Sequence, residues 1–126
     1  MIQVSDEQFY DLVQQAVADI PERFAKHLNN VAFLVADAPS PEQLRAGGAL
    51  HGQGVLLGLY EGIPLPQRNA GYSGVVPDVI TVFSRAHELV APDVGSLRRA
   101  VHQTVWHEVA HYFGLNHGQI HALEHE

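Results

Sequence analysis

Residues 107–117 read HEVAHYFGLNH and fit the pattern H-E-x-x-H-x-x-G-x-x-H through His107, Glu108, His111, Gly114 and His117. Positions four apart on an α-helix lie one above the other. The run therefore predicts a helix on which His107 and His111 aim two imidazoles at one point. Glu108 lies one residue further round, within reach of the water side of a metal held there. Gly114 is expected to take the left-handed backbone that ends a helix, so that His117 approaches from outside it. Three neutral imidazoles leave a tetrahedral zinc one open position, and a carboxylate beside that position is the arrangement of a catalytic site. With 9 His and 11 Gly in 126 residues, a chance match in any window has odds of roughly 2 in 10,000, so coincidence does not account for the run.

The rest of the composition narrows the chemistry. There is no Cys, which removes disulfides and thiolate sites and leaves imidazole and carboxylate as metal donors. A chain of 126 residues suits one domain, 1–126, able to bury roughly two-thirds of its unfolded surface. The formal charge of −7 argues against a nucleic-acid partner. No stretch reaches the ~18–20 apolar residues of a membrane span. The start, MIQVSDEQFY, lacks a basic and apolar leader, so the expectation is a cytoplasmic protein with no membrane partner.

Helix and strand signals are clear at both ends. Ser5 and Gln8 spell a capping box, with Val4 and Phe9 placed to close a hydrophobic staple. Phe9, Leu12, Val13, Ala16, Val17 and Ile20 then trace one buried helical face, until Pro21 breaks the helix and restarts it before Glu22-Arg23-Phe24. Val31–Ala36 is a continuous apolar run, predicting a strand covered on both faces. Residues 38–54 read as a long loop, Val55–Tyr60 as a second strand and Asp78–Phe83 as a third, buried one. Asp93 or Ser96 is predicted to cap the last helix, whose stripe of Leu97, Val101, Thr104 or Val105, Glu108 and Tyr112 is expected to be buried.

The 107–117 motif resembles that of the zincin metallopeptidases, with the third His of the metzincin pattern. Residues 57–65 (LGLYEGIPL), 74–83 (GVVPDVITVF) and the HEVAHYFG helix together are similar to the bacterial minimal zincin-like metallopeptidase family. The resemblance covers the second half of the chain strongly and the first helix more loosely. It implies a small α+β zincin-like domain: a mixed sheet of three or four strands packed on two main helices. Where relatives often carry Asp at the third ligand position this chain has His117, which keeps the site metal-competent. The Met-containing turn of metzincins has no counterpart, since the single Met is Met1 and nine residues follow His117.

The expected function is therefore zinc-dependent hydrolysis of peptide bonds. His107, His111 and His117 would bind Zn²⁺, Glu108 would serve as general base, and short or unfolded peptides would be the substrate. An extended peptide would pair with an edge strand, for which Val55–Tyr60 is the candidate. Two other functions compete: a zinc-binding interaction module without turnover, and an endoribonuclease of the YbeY type, whose ligand spacing is the same. Glu108 and the negative charge point away from the latter. No oxyanion donor is assigned to Tyr72 or Tyr112. His121, Glu124 and His125 read as a solvated tail, and Glu124 or His121 would close the site only by reaching the metal. His27, His51, His87 and His102 have no mutual ligand spacing and read as surface or core histidines.

Overall fold

A computed structural model describes residues 2–47, 55–63, 65–68, 77–115 and 118–119. Helix α1 (Asp6–Ala18) begins with the expected capping box: the Ser5 hydroxyl accepts from the Gln8 amide at 3.1 Å, and the Gln8 side chain accepts from the Ser5 amide at 2.8 Å. These bonds satisfy backbone groups that have no partner inside the helix. Its apolar stripe buries Phe9, Leu12, Val13 and Ala16. Pro21 then caps the single turn α2 (Glu22–Ala25), as the break at that proline predicts.

Three strands, β1 (Val31–Ala36), β2 (Gly58–Glu61) and β3 (Asp78–Phe83), form a mixed sheet in the order β1-β3-β2. β1 runs parallel to β3 and β2 antiparallel to it. The sheet lies against α5 (Val94–Tyr112), on which α1 also packs, giving the small α+β architecture of the sequence reading. Alternation along the strands divides the core. Val31, Phe33, Val35, Tyr60, Ile80 and Val82 join the cluster under α1 and α5. Leu59 and Phe83 turn to the opposite face, where Leu56 and Ala86 cover them.

The structure corrects the sequence reading in four places. Among the described residues β1 pairs only with β3 and is covered mainly on one face, with Leu34 50% exposed, whereas β3 is paired on both sides. β2 starts at Gly58 rather than Val55 and runs to Glu61, although the Leu57 carbonyl still accepts from Phe83 N–H at 3.0 Å. Within the expected loop 38–54 stands a helix, α3 (Pro41–Gly47), opened by a second reciprocal box between Ser40 and Gln43. A further helix, α4 (Ser84–Val90), follows β3 directly and buries Ser84, Ala86 and His87.

α5 carries the site. Asp93 caps it by accepting from Ser96 N–H at 2.7 Å, and Leu97, Val101, Thr104, Val105, Glu108 and Tyr112 are all buried. Among the described residues no helix is long and apolar enough to cross a membrane.

Candidate metal centre

The last two turns of α5 bring three of the predicted residues together. The ligand atoms of His107, Glu108 and His111 all lie within 4.8 Å of one another, and the two imidazole centroids are 4.9 Å apart at 45°. This is the i, i+4 stacking that the motif implies, realised because α5 is regular through Tyr112. Both histidines are half-buried, with Nε2 of His111 shielded from solvent. Two imidazoles at this separation could share one metal ion, with the carboxylate at its side.

Glu108 is 3% exposed, and burial pushes its carboxyl up to about 7 against the opposing effect of a hydrogen bond from the Tyr60 backbone amide. That bond follows from the register of the sheet. Leu57 faces β3 through its carbonyl, so by antiparallel alternation the N–H and C=O of Gly58 and Tyr60 point away from β3. The Tyr60 amide is thus aimed off the sheet, where Glu108 takes it. A cleft of ≈ 270 Å³ extends from His107 and Glu108 between β2 and α5, past Gly58, Thr104 and Ala100.

α5 ends as its glycine predicts. Gly114 has φ +76°, its N–H donates to the His111 carbonyl at 2.9 Å, and Leu115 N–H donates to the Ala110 carbonyl at 3.0 Å. This paired closure is a Schellman cap, which reverses the chain beside His111. A Cβ on Gly114 would lie 2.8 Å from Pro66 Cγ, so the turn needs glycine for space as well as for conformation. The third predicted ligand, His117, lies outside the described residues, as do Tyr72, His121, Glu124, His125 and His51.

The other singled-out residues serve elsewhere. Tyr112 is buried; its hydroxyl donates to the His27 carbonyl at 3.1 Å and accepts from Asn29 N–H at 3.0 Å. His102 bonds the Asp19 carboxylate at 2.9 Å, and His27 is exposed. His87 is fully buried, and burial holds its pKa below the usual value.

Sequence reasoning missed a second polar cluster beside the centre. Asp78, 3% exposed, accepts from the Tyr60 hydroxyl, from Arg68 Nη2 at 2.5 Å and from Ile63 N–H at 3.3 Å. Arg68 also donates to the carbonyls of Ile63 and Asn29 and lies 4.9 Å over the Tyr112 ring. A charged residue opening an otherwise apolar strand, Asp78, was the available signal. Its partner, ten residues earlier across a Gly- and Pro-rich stretch, had none.

With this geometry in place, the comparisons are consistent. A family model described as zincin-like metallopeptidase matches residues 28–126. The fold is similar to that of a conserved hypothetical protein from Thermus thermophilus, at 22% identity and a TM-score of 0.57, over 87% of this chain and 94% of that one. Comparison with curated proteins gives no match.

Proposed function

The chain belongs to the zincin-like metallopeptidase family, and from that premise we propose that it is a zinc-dependent peptidase in which His107, His111 and His117 hold the metal and Glu108 transfers the proton. The observation that carries this reading is the buried carboxylate of Glu108, set beside two imidazoles tilted at 45°, with a ring nitrogen of each and a carboxylate oxygen all within 4.8 Å of one another. A structural zinc site has no use for a buried carboxyl set beside its ligands. A hydrolytic site does.

When bound, zinc supplies the Lewis acidity that polarises the scissile carbonyl and activates water. Glu108 accepts a proton from the attacking water at a carboxylate oxygen and passes it to the leaving amine nitrogen. A group with a pKa near the working pH does both jobs well. The Tyr60 amide orients that carboxylate from the backbone of β2, so the base is held by the sheet as well as by its own helix. β2 lies at the sheet margin among the described residues and offers an extended peptide a place to pair. Four residues of strand accommodate a short extended segment, which favours short or unfolded peptides.

The test is a peptide-library cleavage assay of zinc-loaded protein beside Glu108→Gln and beside an RNA substrate. Glu108→Gln keeps shape and removes the proton acceptor, so hydrolysis should fall ~10²–10⁴-fold while zinc affinity holds. Peptide hydrolysis unaffected by the substitution, or RNA cleavage in its place, would sink the proposal. So would a fully loaded parent inert across a diverse library, which is the outcome a zinc-binding interaction module predicts.

A further inference from the structure

Gly58 opens β2 directly over the α5 face, between Thr104 and Glu108 one turn apart. An ideal Cβ at this position would lie 2.6 Å from Thr104 Cγ2, 3.2 Å from the Thr81 carbonyl oxygen and 3.4 Å from Glu108 Cγ. The backbone at Gly58 is not in the left-handed region, so glycine is required here for room alone.

Neither close neighbour is free to yield. The Thr81 carbonyl belongs to the central strand. Thr104 Oγ1 lies 2.8 Å from His87 Nε2, and His87 Nδ1 lies 2.8 Å from the Phe83 carbonyl. A carbonyl only accepts, so Nδ1 of the neutral ring carries the proton, Nε2 accepts, and the Thr104 hydroxyl donates. His87 is itself fully buried and tilted against Phe9 at 5.7 Å. The threonine rotamer is therefore set from the core, and Cγ2 is left pointing at β2.

We propose that the Gly58–Thr104 contact sets the distance between β2 and α5 and thereby positions Glu108, which makes Gly58 and Thr104 positioning residues of the site. This rests on the peptidase reading only for the role of Glu108. Gly58 itself lies against Glu108, whose Cγ would be 3.4 Å from a Cβ at 58, and two residues further on the backbone of the same strand reaches that carboxylate. A side chain at 58 must move β2 off the helix, and the Tyr60–Glu108 bond is the first interaction lost. Displacements of about 1 Å in a positioned group cost up to ~10²-fold in rate.

The experiment compares the parent with Gly58→Ala, Thr104→Ser and the double variant, reading Tyr60 amide hydrogen exchange by NMR, zinc affinity, kcat and KM. In Gly58→Ala the Tyr60 amide should lose protection while amides of β3 keep theirs. Zinc affinity should hold and kcat should drop ~10–10²-fold, while KM is free to rise because β2 is also the strand on which a peptide would pair. Thr104→Ser keeps the hydroxyl for His87 and removes Cγ2, so combining it with Gly58→Ala should recover the Tyr60 protection and rate lost to the 2.6 Å clash, leaving only the smaller part due to the 3.2 Å approach to the Thr81 carbonyl. Parental Tyr60 exchange in Gly58→Ala overturns the proposal, as does a loss that Thr104→Ser leaves unrepaired. Should Gly58→Ala fail to fold, the double variant decides: folded with a protected Tyr60 amide it upholds the proposal, and unfolded it overturns it. A parent without peptidase activity would remove the peptidase reading alone, because exchange and zinc affinity are read without turnover.

Discussion

The Tyr60 hydroxyl donates to Asp78, while the backbone amide of the same residue donates to Glu108. Both carboxyls are 3% exposed, yet the two clusters that meet at Tyr60 are built differently. Around Asp78 a guanidinium, a hydroxyl and a backbone amide converge, and Arg68 also donates to the carbonyls of Ile63 and Asn29 and to the Tyr112 hydroxyl. Around Glu108 there are two imidazoles and the Tyr60 amide, and burial raises its pKa to about 7. The Tyr60 hydroxyl is itself held well above the usual tyrosine range, first by burial and then by Asp78. A buried acid matched by a buried cation is a fastening. On the peptidase reading, the buried acid beside the two imidazoles is the one that exchanges protons.

That contrast is broken most easily by substituting each acid. Glu108→Gln should remove ~10²–10⁴ of the hydrolytic rate. The same change should leave the zinc-free protein as stable as the parent or more so at neutral pH. The reason is the sign of the shift: a carboxyl whose folded pKa is raised from 4.5 to about 7 opposes folding as pH rises above 4.5. A thermal melt of zinc-free Glu108→Gln well below the parent would show that Glu108 is a fastening too.

Asp78→Asn should do the opposite. It leaves the Arg68 charge buried without its counter-ion, and breaking a buried pair costs about 3–5 kcal/mol. Denaturant unfolding measures this directly. A parental midpoint would mean that the cluster contributes nothing to stability.

A smaller effect is expected at the turn between the clusters, where Pro66 of the Arg68 segment seats against Gly114. Gly114→Ala combines a strained positive φ with a 2.8 Å approach to Pro66, and about 1–2 kcal/mol of stability should be lost. Pro66→Ala should recover the steric part and leave the conformational part, which separates the two causes by the same unfolding measurement.

The smallest expected effect sharpens the comparison through pH. His87 titrates below its unfolded value because burial disfavours its charged form. Its contribution to stability is therefore complete above about pH 6.5 and is lost as pH falls toward the depressed folded value. Zinc-free parent and His87→Gln, unfolded between pH 7.5 and 5.5, should differ in the slope of stability against pH. Parallel slopes would place the titration elsewhere.

The capping boxes show how legibility depended on context. Ser5–Gln8 and Ser40–Gln43 make the same reciprocal pair of bonds, but the first precedes an apolar stripe and the second does not. A cap without a stripe gave no reason to expect α3. The apolar runs were similarly ambiguous: Val31–Ala36 and Asp78–Phe83 both read as covered strands, and pairing alone decided that β3 is central and β1 lateral. Of the site, His107, Glu108, His111 and the Gly114 turn were legible from spacing. Gly58, Thr104, His87 and the Tyr60 amide were not, although a glycine inside LLGLY marks a close approach.

The sequence by itself determined what lies within a helical turn or two: the stacking of His107 on His111, the position of Glu108 beside them, the caps at Ser5 and Asp93, and the left-handed Gly114. Each depends on residues no more than five apart, whose relative placement helix geometry dictates. Only the tertiary structure decided that the Tyr60 amide meets Glu108, that Gly58 rests on Thr104, and that Arg68 answers Asp78. Those contacts join residues on different elements, and in β2 they hang on a register in which a slip of one residue would turn every side chain to the other face.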